Sequence, residues 1–467
     1  MKIHKNVLRA LLITTGFLGS LYACASDENT EQLIQQGKYI ATAADCGACH
    51  RQTKEDGEPF AGGYAIDSPM GRIIASNITP SKQFGIGNYT ESQFADAVRK
   101  GVAANGDNLY PAMPYTAYHA MTDADIHALY TYFMKGVTPV DHAPDSKTEL
   151  SFPFNIRQIM WGWNLLFSSQ KPFEAPEGGS EQLSRGKYLT EVLGHCSTCH
   201  TPRNVMMAEI GDKNLSGSAL GGWYAPNITP DSSGIGDWSQ QDIVTYLKTG
   251  HVAGKAQAAG PMAEAVEHSF SHLSDSDLNA IAAWVKQVPS VSTEKAETSH
   301  SLPATPDINQ VVHGQGSQAS LAESAGTDGA ELYNGACASC HGIHGQGTKD
   351  NFYPSLTHNS AVSSATPQNL VMTIIEGIHR KSSDSDVAMP AFKDQLTDAQ
   401  VAAITSFVRL HFAGIDHNVT AGQVSTWRQG GEKPFIVKYI NLLMTVGIVL
   451  AIIVIAAILA GIKRRKR

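Results

Sequence analysis

Apolar positions recur every three or four residues in the segment that precedes residue 46 of this chain. Leu33, Gly37, Ile40 and Ala44 fall on one face of a helix at that spacing. The glycine in this stripe is small enough to let a second helix cross closely. The pattern therefore predicts a helix that leads directly into residue 46 and meets another helix at Gly37.

Capping residues followed by apolar stripes predict the other main helices. Thr90 can cap a helix over 91–100, and Thr122, Ser274 and Thr397 can each begin a later one. The predicted buried faces of the last three helices are Ile126, Leu129, Tyr130 and Phe133; Ile281, Trp284 and Val285; and Val401, Ile404, Phe407 and Val408. These periods predict a mainly α protein.

The pattern is repeated along the chain. Gly37, Tyr39 and the segment Asn77-Ile78-Thr79-Pro80 return 149 or 150 residues later as Gly186, Tyr188 and Asn227-Ile228-Thr229-Pro230. A constant offset of this kind indicates a duplication. A shorter third copy has the leading and closing helices but lacks the Asn-Ile-Thr-Pro segment. The sequence thus predicts three modules, over residues 31–136, 181–288 and 327–413.

The remaining segments differ in composition from the modules. Residues 137–180 hold many large apolar side chains, including Trp161 and Trp163, and are expected to form a packed connector. Residues 289–326, rich in Ser, Thr, Ala and Gly, are typical of a flexible linker, and residues 414–436 form a juxtamembrane linker. Residues 440–462 are apolar apart from Asn441 and Thr445 and are long enough to span a bilayer, so a transmembrane helix is predicted over 437–462.

Both ends of the chain indicate a membrane topology. Residues 1–25 have the basic, apolar and Ala-x-Ala regions of a secretion signal, and Cys24 leaves lipidation open as an alternative. The basic tail over 463–467 is expected to stay cytoplasmic by the positive-inside rule, which places the modules in the periplasm. The sequence therefore predicts a single-pass protein of a bacterial inner membrane.

Composition and charge narrow the possible partners. A hydrophobic content of 42% in 467 residues is typical of globular domains and excludes disorder for most of the chain. Residues 26–462 carry 27 basic and 43 acidic side chains, a net charge of −16. Nucleic acid is not an expected partner of so acidic a protein.

Six of the seven cysteines occur in three copies of the pattern C-x-x-C-H, which is the attachment signature of c-type haem. The two thiols of each copy can form thioethers with one porphyrin, while the histidine meets the iron. Disulfides would not place a histidine after every pair, and zinc sites need a second pair at short spacing. The predicted attachment residues are Cys46, Cys49, Cys196, Cys199, Cys337 and Cys340, and the predicted iron ligands are His50, His200 and His341.

One methionine lies beside a proline before the last helix of each module. Met113, Met262 and Met389 are therefore predicted as the sixth iron ligands, held by backbone that proline stiffens. The competing ligands are His268 and His272 in the second module, and His344, His358 and His379 in the third. No Ser/His/Asp set, phosphate loop or carboxylate pair stands out, so no catalytic residue is predicted.

These motifs together resemble the triheme, membrane-bound cytochrome c subunits of bacterial periplasmic alcohol, gluconate and related sugar or aldehyde dehydrogenases. The segments that carry the likeness are residues 46–50, 60–63, 77–80, 109–115, 163–167, 194–196, 260–262 and 389–392. The resemblance implies three tandem class I cytochrome c domains with three covalently bound haem c groups. It also implies electron transfer from a quinoprotein or flavoprotein dehydrogenase subunit to ubiquinone or a terminal oxidase.

Two other functions remain open from the sequence. One is a free-standing, membrane-anchored electron carrier that feeds a terminal oxidase without a dehydrogenase partner. The other is a haem peroxidase or sensor, which requires an iron with an open sixth position. Co-purification of a large stoichiometric partner would favour the dehydrogenase subunit over the free-standing carrier. A haem spectrum that changes on addition of carbon monoxide would favour the peroxidase or sensor.

Overall fold

A computed structural model describes residues 28–54, 57–296, 326, 328–382 and 386–465. The predicted signal peptide over 1–25, with Cys24, lies outside the described residues, as does most of the predicted linker over 289–326. The boundaries of the modules, connector and linkers stay predictions from the sequence.

The described chain is mainly helical, with a few short antiparallel strands. Its α-helices are 28–43, Cys46–His50, Glu91–Lys100, Tyr115–Tyr118, Asp123–Thr131, Ile159–Phe167, Glu181–Tyr188, Ser197–His200, Gln240–Thr249, Gly260–His268, Asp275–Val285, Gly329–Ala336, Ala338–His341, Ser360–Ser363, Gln368–Glu376, Asp398–Ala413, Ala421–Arg428 and Phe435–Arg465. Two of them continue as π-helical turns at Tyr132–Gly136 and Leu189–Leu193, and 3₁₀ turns lie at Gly211–Lys213 and Phe270–His272. The strand Gly71–Ile74 pairs with Ala65–Ser68 on one side and with Glu149–Leu150 on the other. The other pairs are Ser218–Leu220 with Trp223–Ala225, His251–Val252 with Ala256–Gln257, and Ile378–Lys381 with Asp386–Met389.

In every module the leading helix crosses the closing helix at a glycine. A Cβ at Gly37 would overlap the carbonyl oxygen of Ala128, and one at Gly186 would overlap that of Ala280. The close crossing predicted at Gly37 is therefore confirmed. Gly329 makes the same approach to Ala403 in the third module, a contact that the sequence reading did not identify.

The helix caps follow the sequence closely. Thr90 and Thr397 form capping boxes with the side chains three residues later, and Thr122 and Ser274 each accept a hydrogen bond from the third backbone N–H of the helix. A cap satisfies N–H groups that would otherwise lack a partner at the helix start. The predicted starts of these four helices are therefore confirmed.

The first two modules share one continuous hydrophobic core, whereas the third has its own. Ile40, Phe133, Leu193 and Ile281 belong to the shared core, which spans both copies of the duplication. The core of the third module also includes Val424, from the helix Ala421–Arg428. That helix lies within the predicted juxtamembrane linker, and sequence reasoning missed it because it is short and largely polar.

Reciprocal hydrogen bonds join the first two modules. The hydroxyl of Tyr39 donates to Asp277 at 2.6 Å, and that of Tyr188 donates to Asp125 at 2.5 Å. Each hydroxyl also accepts from the backbone N–H of the residue that caps the other module's closing helix. Each tyrosine thus binds the same site on the opposite copy, which is the arrangement of a pseudo-two-fold interface.

Replacement of Asp277 by Asn should lower the free energy of unfolding by about 1–2 kcal/mol, because this carboxylate also accepts two hydrogen bonds from Arg185. Burial raises the pKa of Asp277, but the hydrogen bonds from Arg185 and Tyr39 lower it by more, so the net shift is downward. The contribution is therefore present above the usual pKa of aspartate and is lost as pH falls through the lowered value. Denaturant unfolding at neutral and acid pH measures both effects.

The matched control is Asp275→Asn, two residues earlier on the same helix, where the carboxylate is exposed and pairs with Lys248. This change should cost less than about 0.5 kcal/mol. Equal losses for the two variants would show that the inter-module contact at Asp277 contributes nothing specific.

The predicted connector contains the helix Ile159–Phe167, which has no buried residue. Trp161, Leu165 and Leu166 are each about 70% exposed, whereas Trp163 donates its indole N–H to the carbonyl of Met206. Asn164 on the same helix accepts a hydrogen bond from the buried Tyr115 at 2.7 Å. The helix is thus fastened to both neighbouring modules while its apolar side faces outward.

The C-terminal helix Phe435–Arg465 is the one helix in the described part of the chain that is long and apolar enough to cross a membrane. Its apolar stretch of 23 residues, 440–462, spans about 35 Å at 1.5 Å per residue. None of its described side chains is buried, and most of them are exposed. The predicted membrane helix is therefore present as a structural element.

Candidate functional site

The three C-x-x-C-H motifs lie on short helical turns. These are Cys46–His50, Ser197–His200 and Ala338–His341, each reached from the leading helix of its module. All six thiols are free and half-buried, so the disulfide alternative finds no support among the described residues. Burial raises the pKa of Cys46 to about 12, and it does the same for Cys196 and Cys337.

Each motif histidine is oriented by a backbone carbonyl. The Nδ1 atoms of His50, His200 and His341 lie 2.7, 2.7 and 2.9 Å from the carbonyl oxygens of Ser76, Pro226 and Pro354. Because a carbonyl can only accept, Nδ1 carries the proton and Nε2 keeps its lone pair.

Burial lowers the pKa of each of the three imidazoles, which favours the neutral form. A neutral imidazole with a fixed Nδ1–H is the state in which histidine binds a metal through Nε2. In all three modules the same arrangement leaves the lone pair of Nε2 available to bind a metal ion.

The Asn-Ile-Thr-Pro segment positions this carbonyl in the first two modules. Asn77 follows Ser76 directly, and its buried amide donates to the carbonyl of Val140 at 2.9 Å while its oxygen accepts from Thr79. Asn227 makes the equivalent bonds to Val291 and Thr229. The sequence identified this segment as a loop, and the structure shows that the loop holds the acceptor of the histidine.

The third module builds the same acceptor from a shorter loop. Only 13 residues separate His341 from Pro354, compared with 26 in the other modules. Ser355, which follows Pro354, fixes the loop by donating to the carbonyl of Gly345. Two different loops therefore bring a carbonyl to the same atom of the histidine.

The three candidate methionines are all half-buried. Met113 and Met262 pack against the core shared by the first two modules, and so does Cys46. A proline beside each methionine predicts a loop there, but Met262 lies in the first turn of the helix Gly260–His268 and Met389 is the last residue of a strand. Pro261 fits the helix because the first helical turn needs no N–H donor there.

The competing histidines of the third module point away from the interior. His344, His358 and His379 are all exposed, whereas Met389 lies on the inner face of its hairpin. In the second module, His272 is held by a contact of Nε2 with the carbonyl of Glu267. Their exposure and contacts make these histidines poorer candidates than the methionines.

The residues around the motifs fit a cofactor that carries carboxylates and an apolar ring. Near the first motif, Phe60 stacks edge-on against Tyr132 and Phe133 and supplies aromatic surface. Arg51, which follows His50, has a buried Nη1 with no hydrogen-bond partner in the described residues. In contrast, no cluster of three His, Cys, Asp or Glu side chains suited to a metal ion alone occurs in the described residues.

The first two motifs approach each other across the module interface. Arg51 beside the first motif pairs with Glu264 of the second module at 3.3 Å, and Tyr64 donates to the same carboxylate. On the other side, the ring of His195 packs edge-on against Tyr118 at 5.6 Å. The interface therefore brings the two motif regions together rather than separating them.

Comparison with known proteins gives the family. The cytochrome c family matches residues 183–289, and the family of subunit III of cbb3-type cytochrome c oxidase matches residues 324–408. The chain is 43% identical to the fructose dehydrogenase cytochrome subunit of Gluconobacter japonicus, with 93% of this chain and 91% of the relative covered.

Two further relatives are subunits of other dehydrogenases. The chain is 36% identical to the gluconate 2-dehydrogenase cytochrome c subunit of Pantoea cypripedii, over 91% of this chain and 95% of the relative. It is 37% identical to the cytochrome c subunit of the quinone alcohol dehydrogenase of Gluconacetobacter polyoxogenes, over 85% of each. The chain therefore belongs to the family of cytochrome c subunits of bacterial dehydrogenase complexes and serves as an electron-transfer subunit that binds haem c covalently.

Proposed function

We propose that this chain carries three haem c groups, one in each module, and passes electrons from a periplasmic dehydrogenase subunit to membrane ubiquinone or to a terminal oxidase. Bound haem c supplies a one-electron carrier at each site. The observation that carries the proposal is the threefold recurrence of a C-x-x-C-H turn whose histidine donates Nδ1–H to a backbone carbonyl.

The chain's own residues have distinct roles in this proposal. The six motif cysteines anchor the porphyrins, and His50, His200 and His341 bind iron through Nε2. Met113, Met262 and Met389 supply the sixth ligand, which raises the reduction potential relative to histidine. The apolar side chains of each core exclude water from the ring.

The position of the membrane helix supports the remaining part of the proposal. The basic tail over 463–467 would stay in the cytoplasm, which leaves the three modules in the periplasm beside the inner membrane. Electrons would enter from a dehydrogenase with a quinone-type or flavin cofactor, since relatives serve fructose, gluconate and alcohol dehydrogenases. They would leave to an acceptor in the membrane.

Replacing any one of the three methionines by histidine should lower the potential of one haem and leave the other two unchanged. The reason is that imidazole stabilises the oxidised iron more than a thioether does. The variants are Met113→His, Met262→His and Met389→His, each followed by spectroelectrochemical titration of the purified, haem-loaded protein.

Met206→His is the matched control, because Met206 is 41% exposed and lies in a loop outside the three ligand positions. It should leave all three potentials unchanged. A methionine variant with three unchanged potentials would remove that residue from the ligand set, and fewer than three haems per chain by mass spectrometry would overturn the proposed stoichiometry.

Co-purification from detergent extracts tests the dehydrogenase partner. A large stoichiometric partner, with haem reduction on addition of that partner's substrate, is the expected result. A chain that purifies alone at full haem content and is reduced only by a soluble donor would support the free-standing carrier instead.

A further inference from the structure

Asp45 lies directly before the first C-x-x-C-H motif, and its carboxylate does not cap the helix that follows. It occupies the N-cap position of the helix Cys46–His50, where an aspartate normally accepts a hydrogen bond from the helix backbone. Its side chain makes no such bond. Instead, Oδ1 is buried and has no hydrogen-bond partner in the described residues. A buried carboxylate oxygen without a donor disfavours the charged form of the group.

The backbone at this position has the same unusual conformation in the first two modules. Asp45 has a φ of 52°, and His195, which lies directly before Cys196, has a φ of 37°. Residues other than glycine seldom adopt this left-handed conformation, although aspartate does so more readily than most. Ala336, before the third motif, is the last residue of a regular helix. The two modules that share a core therefore each place an ionisable side chain at this point.

Charged groups from both modules surround Asp45. The motif helix packs against the helix Gly260–His268 of the second module. On that helix Glu264 pairs with Arg51 at 3.3 Å and accepts a hydrogen bond from Tyr64 at 3.1 Å. Burial raises the pKa of Asp45 well above its usual value, the charge of Glu264 raises it further, and the charge of Arg51 lowers it.

A tyrosine and a histidine lie on the other side of Asp45. Tyr118 donates a hydrogen bond to the carbonyl of Ala44 at 2.6 Å, and the ring of His195 packs against the ring of Tyr118. Burial raises the pKa of Tyr118 well above its usual value and lowers that of His195 to about 4. Both side chains are therefore neutral at neutral pH.

The remaining ionisable groups of the packed helix are His268 and Glu267. Burial lowers the pKa of His268, which favours its neutral form. Glu267 is directed to the third module, where its Oε2 accepts a hydrogen bond from the backbone N–H of Lys381 at 3.3 Å. Asp45 is thus the carboxyl group beside the first motif whose pKa is shifted toward neutral pH.

Chain connectivity keeps Asp45 close to the first haem site. Consecutive Cα atoms are about 3.8 Å apart, so its carboxyl group lies near any ring attached to Cys46. Burial raises the pKa of the Cys46, Cys49 and Cys199 thiols, and the charge of Asp45 contributes to the rise at all three. The thiols become uncharged thioethers when haem is attached. Asp45 then remains ionisable beside the first motif and within electrostatic reach of the second.

We propose that Asp45 takes up a proton when the haem of the first module is reduced, and releases it on reoxidation. The inference rests on the three-haem function proposed above. One electron from the dehydrogenase subunit converts ferric to ferrous iron, and one proton from solvent forms an O–H bond on the Asp45 carboxylate. Ferric iron carries one more positive charge than ferrous iron and so favours the ionised carboxylate, whereas reduction favours the neutral acid.

The first test measures the reduction potentials of the full-length, haem-loaded chain as a function of pH. As pH rises through the pKa of Asp45, the reduction equilibrium constant of the first haem should fall by about tenfold in total, or about 59 mV, which is the effect of one unit charge at about 10 Å in an effective dielectric constant of about 20. Repeating the titration in the Met113→His background identifies the haem, because that substitution lowers its potential.

Asp45→Asn should remove this pH dependence. Asparagine tolerates the left-handed backbone and resembles the neutral acid, so the potential should stay at the acid-limit value of the unmodified protein. Asp45→Glu keeps an ionisable group and should restore a pH-dependent potential. Asp67→Asn is the matched control in the same module, because Asp67 is exposed and pairs with Arg72 at 2.8 Å. It should leave the pH dependence unchanged.

Redox difference infrared spectroscopy tests the proton uptake directly. A C=O band of a protonated carboxyl group should appear on reduction of the unmodified protein and of Asp67→Asn, and it should be absent from Asp45→Asn. If Asp45→Asn does not assemble, the same band should change position in Asp45→Glu. This measurement reports the protonation of the side chain, which a purely structural role of Asp45 would not alter.

Three results would overturn the inference: a first-haem potential that does not vary with pH in the unmodified protein, a pH dependence that persists in Asp45→Asn, or the absence of a carboxyl band on reduction. Failure of the underlying function would be seen separately, as fewer than three haems per chain by mass spectrometry or no low-potential haem in Met113→His. The two kinds of failure are therefore distinguishable in the same set of samples.

Discussion

A chain with both Cys46→Ala and Cys49→Ala is expected to lose the folded structure of its first module. A module of about 100 residues buries limited apolar surface by itself, and a covalently bound ring supplies much of its core. Phe60 packs edge-on against Tyr132 and Phe133 in this module, and these aromatic side chains would lose the haem ring as a packing partner. The expected loss is the whole unfolding free energy of the module, on the order of 5–10 kcal/mol.

The loss of folded structure should extend to the second module, whereas the third module should stay folded. The first two modules share one hydrophobic core, and Tyr39 and Asp125 of the first hold the second by hydrogen bonds. The third has a separate core and its own C-x-x-C-H turn. Limited proteolysis should therefore leave a haem-bearing fragment that contains residues 328–428.

Far-UV circular dichroism and thermal unfolding provide the measurement. The matched control is the same double substitution in the third module, Cys337→Ala with Cys340→Ala, which should spare the first two modules and their haems. The prediction is wrong if the Cys46/Cys49 variant keeps the helix content and melting temperature of the unmodified protein.

Features that depend on the type and spacing of side chains could be predicted from the sequence. The C-x-x-C-H turns, the caps at Thr90 and Thr397, the glycine crossing at Gly37 and the membrane helix all depend on residue type and spacing. Each has a local physical cause that does not require the rest of the fold. The histidine of each motif was identified for the same reason.

Features that depend on the backbone or on distant contacts could not be predicted. The acceptors of the histidines are carbonyls of Ser76, Pro226 and Pro354, and a carbonyl leaves no mark in the sequence. The Asn-Ile-Thr-Pro repeat was the signal that could have located two of them. No Asn-Ile-Thr-Pro segment follows Pro354, the acceptor in the third module.

Long-range polar contacts were also missed. The Tyr39–Asp277 bond joins residues 238 positions apart, and its reciprocal at Tyr188 becomes evident only when the two copies face each other. Arg380 was overlooked because arginine is usually exposed, and its burial depends on a glycine in another module. Docking between modules thus determines features that no single module encodes.

Gly186→Ala is expected to destabilise the second module by about 3 kcal/mol or more, although alanine is the better helix former. The added methyl group would overlap the carbonyl oxygen of Ala280 and lie 2.9 Å from the Cβ of Trp284, so the leading and closing helices would have to move apart. Separation would also displace Tyr188 from Asp125 and thereby weaken the contact with the first module.

Gly162→Ala is the matched control for this change, because Gly162 also lies within a helix but has open space where its Cβ would stand. It should leave stability unchanged or raise it by about 0.5–1 kcal/mol. Denaturant unfolding of both variants, monitored by circular dichroism and by haem absorbance, measures the difference in stability between them. Equal stabilities for the two variants would show that the helices of the second module can part at Gly186 without cost, contrary to the close crossing that all three modules share.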